Sequence, residues 1–370
     1  MKGADAATRC VHFTGLLSAW VSMSGTFVTT VANLAFSRTD RLQARDVHAR
    51  IPADFRLASG ETLAADVVTA RIHGPADAPL IVVAGGISSG RFPCETDDGR
   101  PGWWADVVRP GGAIDPTRVR VLAIDFLPGL DETRVLTITT HDQARLLALV
   151  LDTLQVPVVD AFVGASYGGC VGLAFAELFP DRLGRLVVIS AAHRAHPAAT
   201  AWRGVQRRIL ALGLETGRIQ EAVSLARELA MTTYRTAEEF DLRFGAAPAP
   251  ETAGSAYAVC DYLTAKGRDY HQVTTPARWI SLSDSLDRHS ISPERIAAAL
   301  TVVGFTSDRL APIEDLRALA DRAPNLETWI EAPSVFGHDG FLKERETIAR
   351  ALQTALSSLS CTRRSQEIAA

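Results

Sequence analysis

Five residues limit what this chain can become: Gly164-Ala165-Ser166-Tyr167-Gly168. Before them, residues 156–163 are rich in β-branched side chains and short enough for a buried strand. After them, residues 168–178 read as a helix that Pro180 brings to an end. A serine bracketed by glycines at a strand-to-helix turn has the pattern of a nucleophile elbow. The turn is so sharp that side chains at the glycine positions would collide with the flanking strand and helix. Such a turn pushes Ser166 out at the carboxyl end of a sheet, with its hydroxyl near a helix amino terminus.

The remaining strands read in alternation with helices. An early strand is expected around residues 51–57 and another over 61–72, with Gly60 and Gly74-Pro75 as turns. Leu80-Ile81-Val82-Val83-Ala84 is a fully apolar strand running into Gly85-Gly86, and residues 119–125 form the next. Between these two, residues 102–108 are expected as a short helix. Thr140 is the expected cap of a helix over 143–154, where Leu146, Leu149, Val150 and Leu154 lie toward one face. Residues 185–190, 298–304 and 326–330 complete the strands, with a helix after Pro312 and a last one from 340 to 359. Alternation of this kind implies a mostly parallel central sheet with helices on both faces. From about Arg194 to Asp269 the pattern turns helical, as an insertion would. The expected division is an extension over residues 1–45, an α/β core over 46–192 and 275–358, a helical cap over 193–274 and a tail over 359–370.

Charge and cysteine usage exclude several classes. A formal net charge of -4 leaves no general basic field for nucleic acid. Cys10, Cys94, Cys170, Cys260 and Cys361 are odd in number, scattered and without C-x-x-C spacing. Reduced thiols in a cytoplasmic protein are therefore expected, with neither a disulfide framework nor a metal site. Residues 10–37 carry no Asp, Glu, Lys or Arg, which is long enough to span a membrane. Nine Ser, Thr and Asn residues dilute that run, and no clear basic leader precedes it, so a loosely ordered extension is the expectation, with Met23 as an alternative start.

A serine hydroxyl needs a base, and the base needs an orienting acid. On such a sheet these follow in the order serine, acid, histidine, on loops after later strands. The strand ending at Gly304 leads to Asp308, the expected acid; the strand ending at Ile330 leads to His338, the expected base. Among nine histidines, His338 stands in a glycine-flanked loop after the final strand. An acyl transfer also needs backbone donors for the oxyanion. The amide of Tyr167 is one, and the loop after residues 80–84 offers Gly86 or Ile87 as the other.

With these residues in place the chain resembles the homoserine O-acyltransferase family, acetyl- and succinyltransferases of the α/β-hydrolase superfamily. The matching stretches are Gly102-Trp103-Trp104 with Gly112-Ala113-Ile114-Asp115, residues 164–169, and Ser307-Asp308-Arg309-Leu310-Ala311-Pro312. Gly337-His338-Asp339-Gly340-Phe341-Leu342 and, in the cap, Leu225-Ala226-Arg227 to Thr233-Tyr234 add the more specific likeness. The resemblance implies an α/β-hydrolase fold and ping-pong transfer from acetyl-CoA or succinyl-CoA to L-homoserine in methionine biosynthesis, with no bound cofactor. It implies that Ser166 takes the acyl group, with His338 as base and Asp308 orienting it. It assigns Arg227 and Tyr234 to the acceptor's carboxylate and Asp339 to its ammonium. Arg227 and Tyr234, seven apart, share one helix face, and a guanidinium suits a carboxylate. L-serine as acceptor, for cysteine biosynthesis, and a serine ester hydrolase are the alternatives. Small molecules are the expected partners, without nucleic acid or membrane; a homodimer stays open.

Two stretches depart from the family pattern. The elbow has Ala165 and Tyr167 where Gly and Met are common, and the oxyanion loop reads Gly85-Gly86-Ile87-Ser88 in place of Ala-Leu-Thr-Gly. Both bear on the acyl donor more than on the reaction class. Arg194, Arg203, Arg207 and Arg208 at the start of the cap could meet CoA phosphates or a succinyl carboxylate, with solvated helix charges the favoured reading.

Overall fold

Eight strands in the order β1-β2-β4-β3-β5-β6-β7-β8 form one sheet in the computed structural model, which describes residues 44–360. Residues 1–43 of the extension expected over 1–45 and the last ten residues of the tail lie outside the described residues, while Ala44 and Arg45 already belong to the first strand of the core. The strands are β1 (Ala44–Arg50), β2 (Val67–His73), β3 (Leu80–Ala84), β4 (Arg120–Ile124), β5 (Val159–Ala165), β6 (Leu183–Ile189), β7 (Ala299–Phe305) and β8 (Leu326–Ala332). β1 and β2 pair antiparallel, as do β2 and β4; every other pairing is parallel. A parallel sheet buried on both faces needs strands apolar on both sides, and β3 and the ends of β5 and β6 are buried throughout. Alternate residues feed two cores. Leu80, Val82 and Phe162 pack with α1 (Thr140–Thr153) and α2 (Tyr167–Leu178), whereas Ile81, Val83 and Val163 share a cluster with Ile348 and Leu352.

The local readings shift in several places. The first strand is 44–50, not 51–57: Pro52 ends the pairing, and Arg71 of β2 donates to Asp46 of β1 at 2.8 Å. Thr139, not Thr140, caps α1, in a reciprocal capping box with Asp142. Residues 102–108 form turns, not a helix, because Gly102 lies against the Cys94 carbonyl and the Trp103 and Trp104 rings stack at 5.3 Å. Trp104 Nε1 donates to the Phe341 carbonyl at 3.1 Å, tying this loop to the segment that carries His338.

Between β6 and β7 run α3 (Pro197–Thr216), α4 (Ile219–Tyr234), α5 (Ala237–Phe244), α6 (Ala258–Gly267) and α7 (Pro276–Asp287). Of these, α3, α4 and α7 share a small core of Leu210, Val223, Ala226, Ala230 and Trp279. α7 also reaches the elbow, since Ser285 Oγ lies 2.8 Å from the Tyr167 hydroxyl. After β7 come α8 (Ile313–Arg322), the one-turn α9 (Gly340–Lys343) and α10 (Arg345–Leu356). The continuous helix expected over 340–359 breaks at Glu344, whose φ/ψ of -82/62 are not helical.

The elbow is a local packing problem with one solution. A Cβ on Gly164 would stand 2.4 Å from the Gly168 carbonyl oxygen, and one on Gly168 would stand 2.2 Å from that of Ala84. Both obstacles are backbone, so nothing flexible can yield. Gly168→Ala is expected to destabilise the fold by about 3 kcal/mol or more, read as a lower denaturation midpoint. Gly204→Ala in α3, where nothing lies within 4 Å of the added Cβ, is the control and should be neutral or slightly stabilising. Equal behaviour of the two variants would contradict this account of the elbow.

Candidate active site

Ser166 sits between β5 and α2 with φ 54 and ψ -121, a left-handed backbone that L side chains rarely adopt. Strain of this kind costs on the order of 1–3 kcal/mol and persists only where the surroundings over-determine it. Here they do: Ser166 N donates to Ile189 O at 2.9 Å and Gly168 N to Gly85 O at 2.8 Å. The elbow is thereby clamped to both neighbouring strands.

From Ser166 a hydrogen-bonded chain runs inward. Ser166 Oγ lies 2.8 Å from His338 Nε2, and His338 Nδ1 lies 2.7 Å from Asp308 Oδ2. A carboxylate only accepts, so the imidazole proton belongs on Nδ1 and Nε2 is left to accept from the serine. The amides of Leu310 and Ala311 donate to Asp308 Oδ1 at 2.9 and 3.1 Å, which fixes the carboxylate's orientation. Burial works against a charged imidazole, but the Asp308 carboxylate, with Asp339 adding to it, outweighs burial and holds His338 above the ordinary histidine range. The chain joins residues 166, 308 and 338, which meet because β5 and β7 flank β6, and β8 follows β7.

The other expected site residues gather around the same cavity. Gly86, Ile87, Ser166, Arg227, Tyr234, His338 and Asp339 all line it. Tyr167 is not among the lining residues: its ring is fully buried and meets Phe126 edge-on at 4.9 Å. Arg227 lies over the Tyr270 ring at 4.4 Å and the Tyr234 ring at 5.4 Å, and its buried Nε has no hydrogen-bond partner. Asp339 is less free than its sequence position suggests, since Arg235 Nη2 stands 3.4 Å from Oδ2 and also pairs with Glu239. Burial nevertheless raises the Asp339 carboxyl above the usual range, opposed by Arg235 and His338.

Two of the cap arginines differ from the favoured reading. Arg203 and Arg207 are not solvated helix charges: they meet Asp287 at 2.6 Å each, with side chains 12% and 21% exposed. Arg194 pairs with Asp315 at 2.8 Å with its side chain 49% exposed, and Arg208 is exposed as well, so these two stay at the surface as expected. Tyr270, Arg235 and Ser190 escaped the sequence reading. Tyr270 and Arg235 carry no motif, while Ser190, directly after β6, had a positional signal in standing beside the elbow strand. Among the described residues there is no cluster of three or more metal-ligating side chains, and no helix long and apolar enough to cross a membrane.

An elbow serine, a histidine and an aspartate at the carboxyl ends of a mostly parallel sheet define an α/β-hydrolase. The model of the α/β-hydrolase fold matches residues 96–344. The homoserine O-succinyltransferase of Xanthomonas campestris pv. campestris is 42% identical over 290 residues, covering 76% of this chain and 77% of that protein. The homoserine O-acetyltransferase of Clavibacter michiganensis is 30% identical over 299 residues, covering 70% and 77%. The structure of a homoserine O-acetyltransferase from Bacillus anthracis superposes with a TM-score of 0.76 over 85% of this chain and 97% of that one, at 13% identity. Esterase E22 gives 0.75 over 85% and 100%, at 14% identity, so fold likeness alone does not separate transferase from esterase. The chain belongs to the homoserine O-acyltransferase family of the α/β-hydrolase superfamily.

Proposed function

We propose that this chain moves an acyl group from acyl-CoA to the hydroxyl of L-homoserine through an acyl-serine at Ser166, a small-molecule biosynthetic step placed in the cytoplasm. One observation carries the reading: Arg227 and Asp339, opposite in charge, line the cavity that holds Ser166 and His338. Water needs neither. A zwitterionic amino acid needs both, and pairing with it would satisfy the unpartnered Nε of Arg227.

The steps follow from the geometry. Ser166 Oγ attacks the thioester carbon while its proton passes to His338 Nε2, 2.8 Å away. The oxyanion is met by the amide of Tyr167 and one from Gly86 or Ile87. The CoA sulfur leaves with the proton from His338. The homoserine hydroxyl then gives its proton to the same nitrogen and attacks the acyl-serine carbon, and Ser166 recovers its proton as the product departs. Asp308 holds the imidazole tautomer throughout, and Asp339 holds the ammonium beside it. The helices α3–α7 act as a cap, closing the site against water so that the acyl-enzyme waits for its acceptor.

The deciding experiment follows CoA release from acetyl-CoA or succinyl-CoA with and without homoserine. Release that depends on homoserine supports the reading; dependence on serine instead moves it to the serine acyltransferase. Cleavage of simple esters with no amino-acid-dependent release would leave a hydrolase. Arg227→Ala is expected to lower kcat/KM for homoserine by roughly 100-fold, while single-turnover acylation of Ser166 stays measurable. Equal loss in both half-reactions would remove Arg227 from the acceptor site.

A further inference from the structure

Arg235 stands where the cap meets the loop that carries the base. It follows Tyr234 at the end of α4, in extended backbone with φ -104 and ψ 155. From there the two segments lie residue against residue. The Tyr234 and His338 rings are 6.1 Å apart, and Arg235 Nη2 stands 3.4 Å from Asp339 Oδ2. Thr236, the cap of α5, donates its hydroxyl to the Val335 carbonyl. Gly337 is so close to this turn that a Cβ on it would stand 2.6 Å from the Tyr234 carbonyl oxygen. The start of α5 is thereby fixed to the catalytic loop.

The pairing of Arg235 is a second, separate observation. An arginine buried for stability meets a carboxylate best through two parallel hydrogen bonds. Arg235 and Glu239 are both buried and four residues apart, yet they meet through Nη1 and Oε1. Arg235 Nε and Glu239 Oε2 are left buried without hydrogen-bond partners. The other amino group, Nη2, is turned to Asp339. Unmet buried polar atoms are unfavourable, so this arrangement serves something other than stability. At 3.4 Å the contact with Asp339 is longer than the roughly 2.8 Å of a strong charged pair, and Asp339 lines the cavity with its side chain 15% exposed. The carboxylate is held, yet open to a second cation. Burial raises its carboxyl above the usual range; Arg235 opposes this first, then His338 and Arg227, while Glu239 acts with burial.

We propose that Arg235 is a positioning residue of the acceptor site, a fixed counter-ion that holds the Asp339 carboxylate ready for the ammonium group of the amino acid. This rests on the acyltransferase reading above and adds to it a residue that acts from behind the site. Arg235 is absent from the cavity wall, where Arg227 and Asp339 stand. Glu239 anchors it, and Arg243 Nη1, 3.4 Å from the same Glu239 oxygen, continues the alternation of charges through the cap. A carboxylate has two oxygens, so it can accept from Arg235 on one side and from an ammonium on the other. Without Arg235 the buried carboxyl would more readily take up a proton and lose its attraction for that ammonium.

The test is a double-mutant cycle on the second half-reaction. It compares kcat/KM for homoserine, at saturating acyl-CoA, in the wild type, Arg235→Gln, Asp339→Asn and the variant carrying both. Arg235→Gln should lower it about 30-fold, through a raised KM with kcat largely kept. Single-turnover acylation of Ser166 should lose far less. Because Arg235 acts through Asp339, the losses should not add: in the Asp339→Asn background, Arg235→Gln should cost no more than about a further twofold. Additive losses would mean that Arg235 meets the acceptor directly or merely supports the fold, and either overturns the proposal. Equal loss in both half-reactions would overturn it too. An Asp339→Asn variant with unchanged kcat/KM is a different result, which strikes the ammonium assignment on which the proposal rests. If Arg235→Gln unfolds by leaving Glu239 unpaired, Arg235→Gln with Glu239→Gln removes both charges and takes its place in the cycle.

Discussion

Ser166→Ala is expected to lower acyl transfer by about 10⁶-fold, down to what binding and the oxyanion donors supply without a nucleophile. The fold should be unaffected, because the Ser166 side chain makes no capping hydrogen bond to α2 and alanine keeps the same Cβ in the same backbone. Intact-mass measurement after exposure to acyl-CoA, without acceptor, separates the possibilities. The wild type should gain one acyl group and the variant none. Turnover that survives in Ser166→Ala would mean direct transfer from bound acyl-CoA to the acceptor, and the acyl-serine route would be lost. No second hydroxyl is set to take over: Ser190 stands beside Ser166, but His338 Nε2 is turned to Ser166 Oγ.

Asp308→Asn should cost about 10⁴-fold while changing almost no volume. Asp308 Oδ1 accepts from the Leu310 and Ala311 amides, and an asparagine oxygen can take over that role. Its Nδ2 then faces His338 as a donor, which drives the imidazole proton to Nε2 and removes the acceptor that Ser166 needs. The pH profile reads the same bond. His338 works as a neutral base, and its pKa lies above the ordinary value of 6.5 because Asp308 outweighs burial. Activity of the wild type should therefore fall as pH drops through a midpoint above 6.5. In Asp308→Asn the carboxylate is gone and burial remains, so the midpoint should move down. An unmoved acid limb would show that another group sets it.

The strands β3, β5, β6 and β7 could be read from runs of apolar and β-branched residues because burial on both faces leaves an unmistakable apolar stretch. β1 could not, since an edge strand buries one face only and Arg45, Asp46, His48 and Arg50 disguise it. Residues 102–108 misled because turns around stacked tryptophans have no periodicity to betray them. The helix break at Glu344 was equally silent, as nothing in the local sequence marks it.

The candidate site divides along the same line. Sequence alone determined the elbow, the order of Ser166, Asp308 and His338, and, through family likeness, Arg227, Tyr234 and Asp339. Ser166, Asp308, His338 and Asp339 are each bound to a short local pattern, a strand and then a loop of particular residues at its carboxyl end, whereas Arg227 and Tyr234 share one face of α4. Tertiary structure decided what these residues meet. It placed Tyr270 over Arg227, Arg235 against Asp339, and Asp287 between Arg203 and Arg207. Those pairings join helices dozens of residues apart, where side-chain period carries no information about partners. Only folding brings such charges together and takes them out of water, and that is why an unpartnered Ser190 hydroxyl and an unpartnered Arg227 Nε appear at the cavity but not in the sequence.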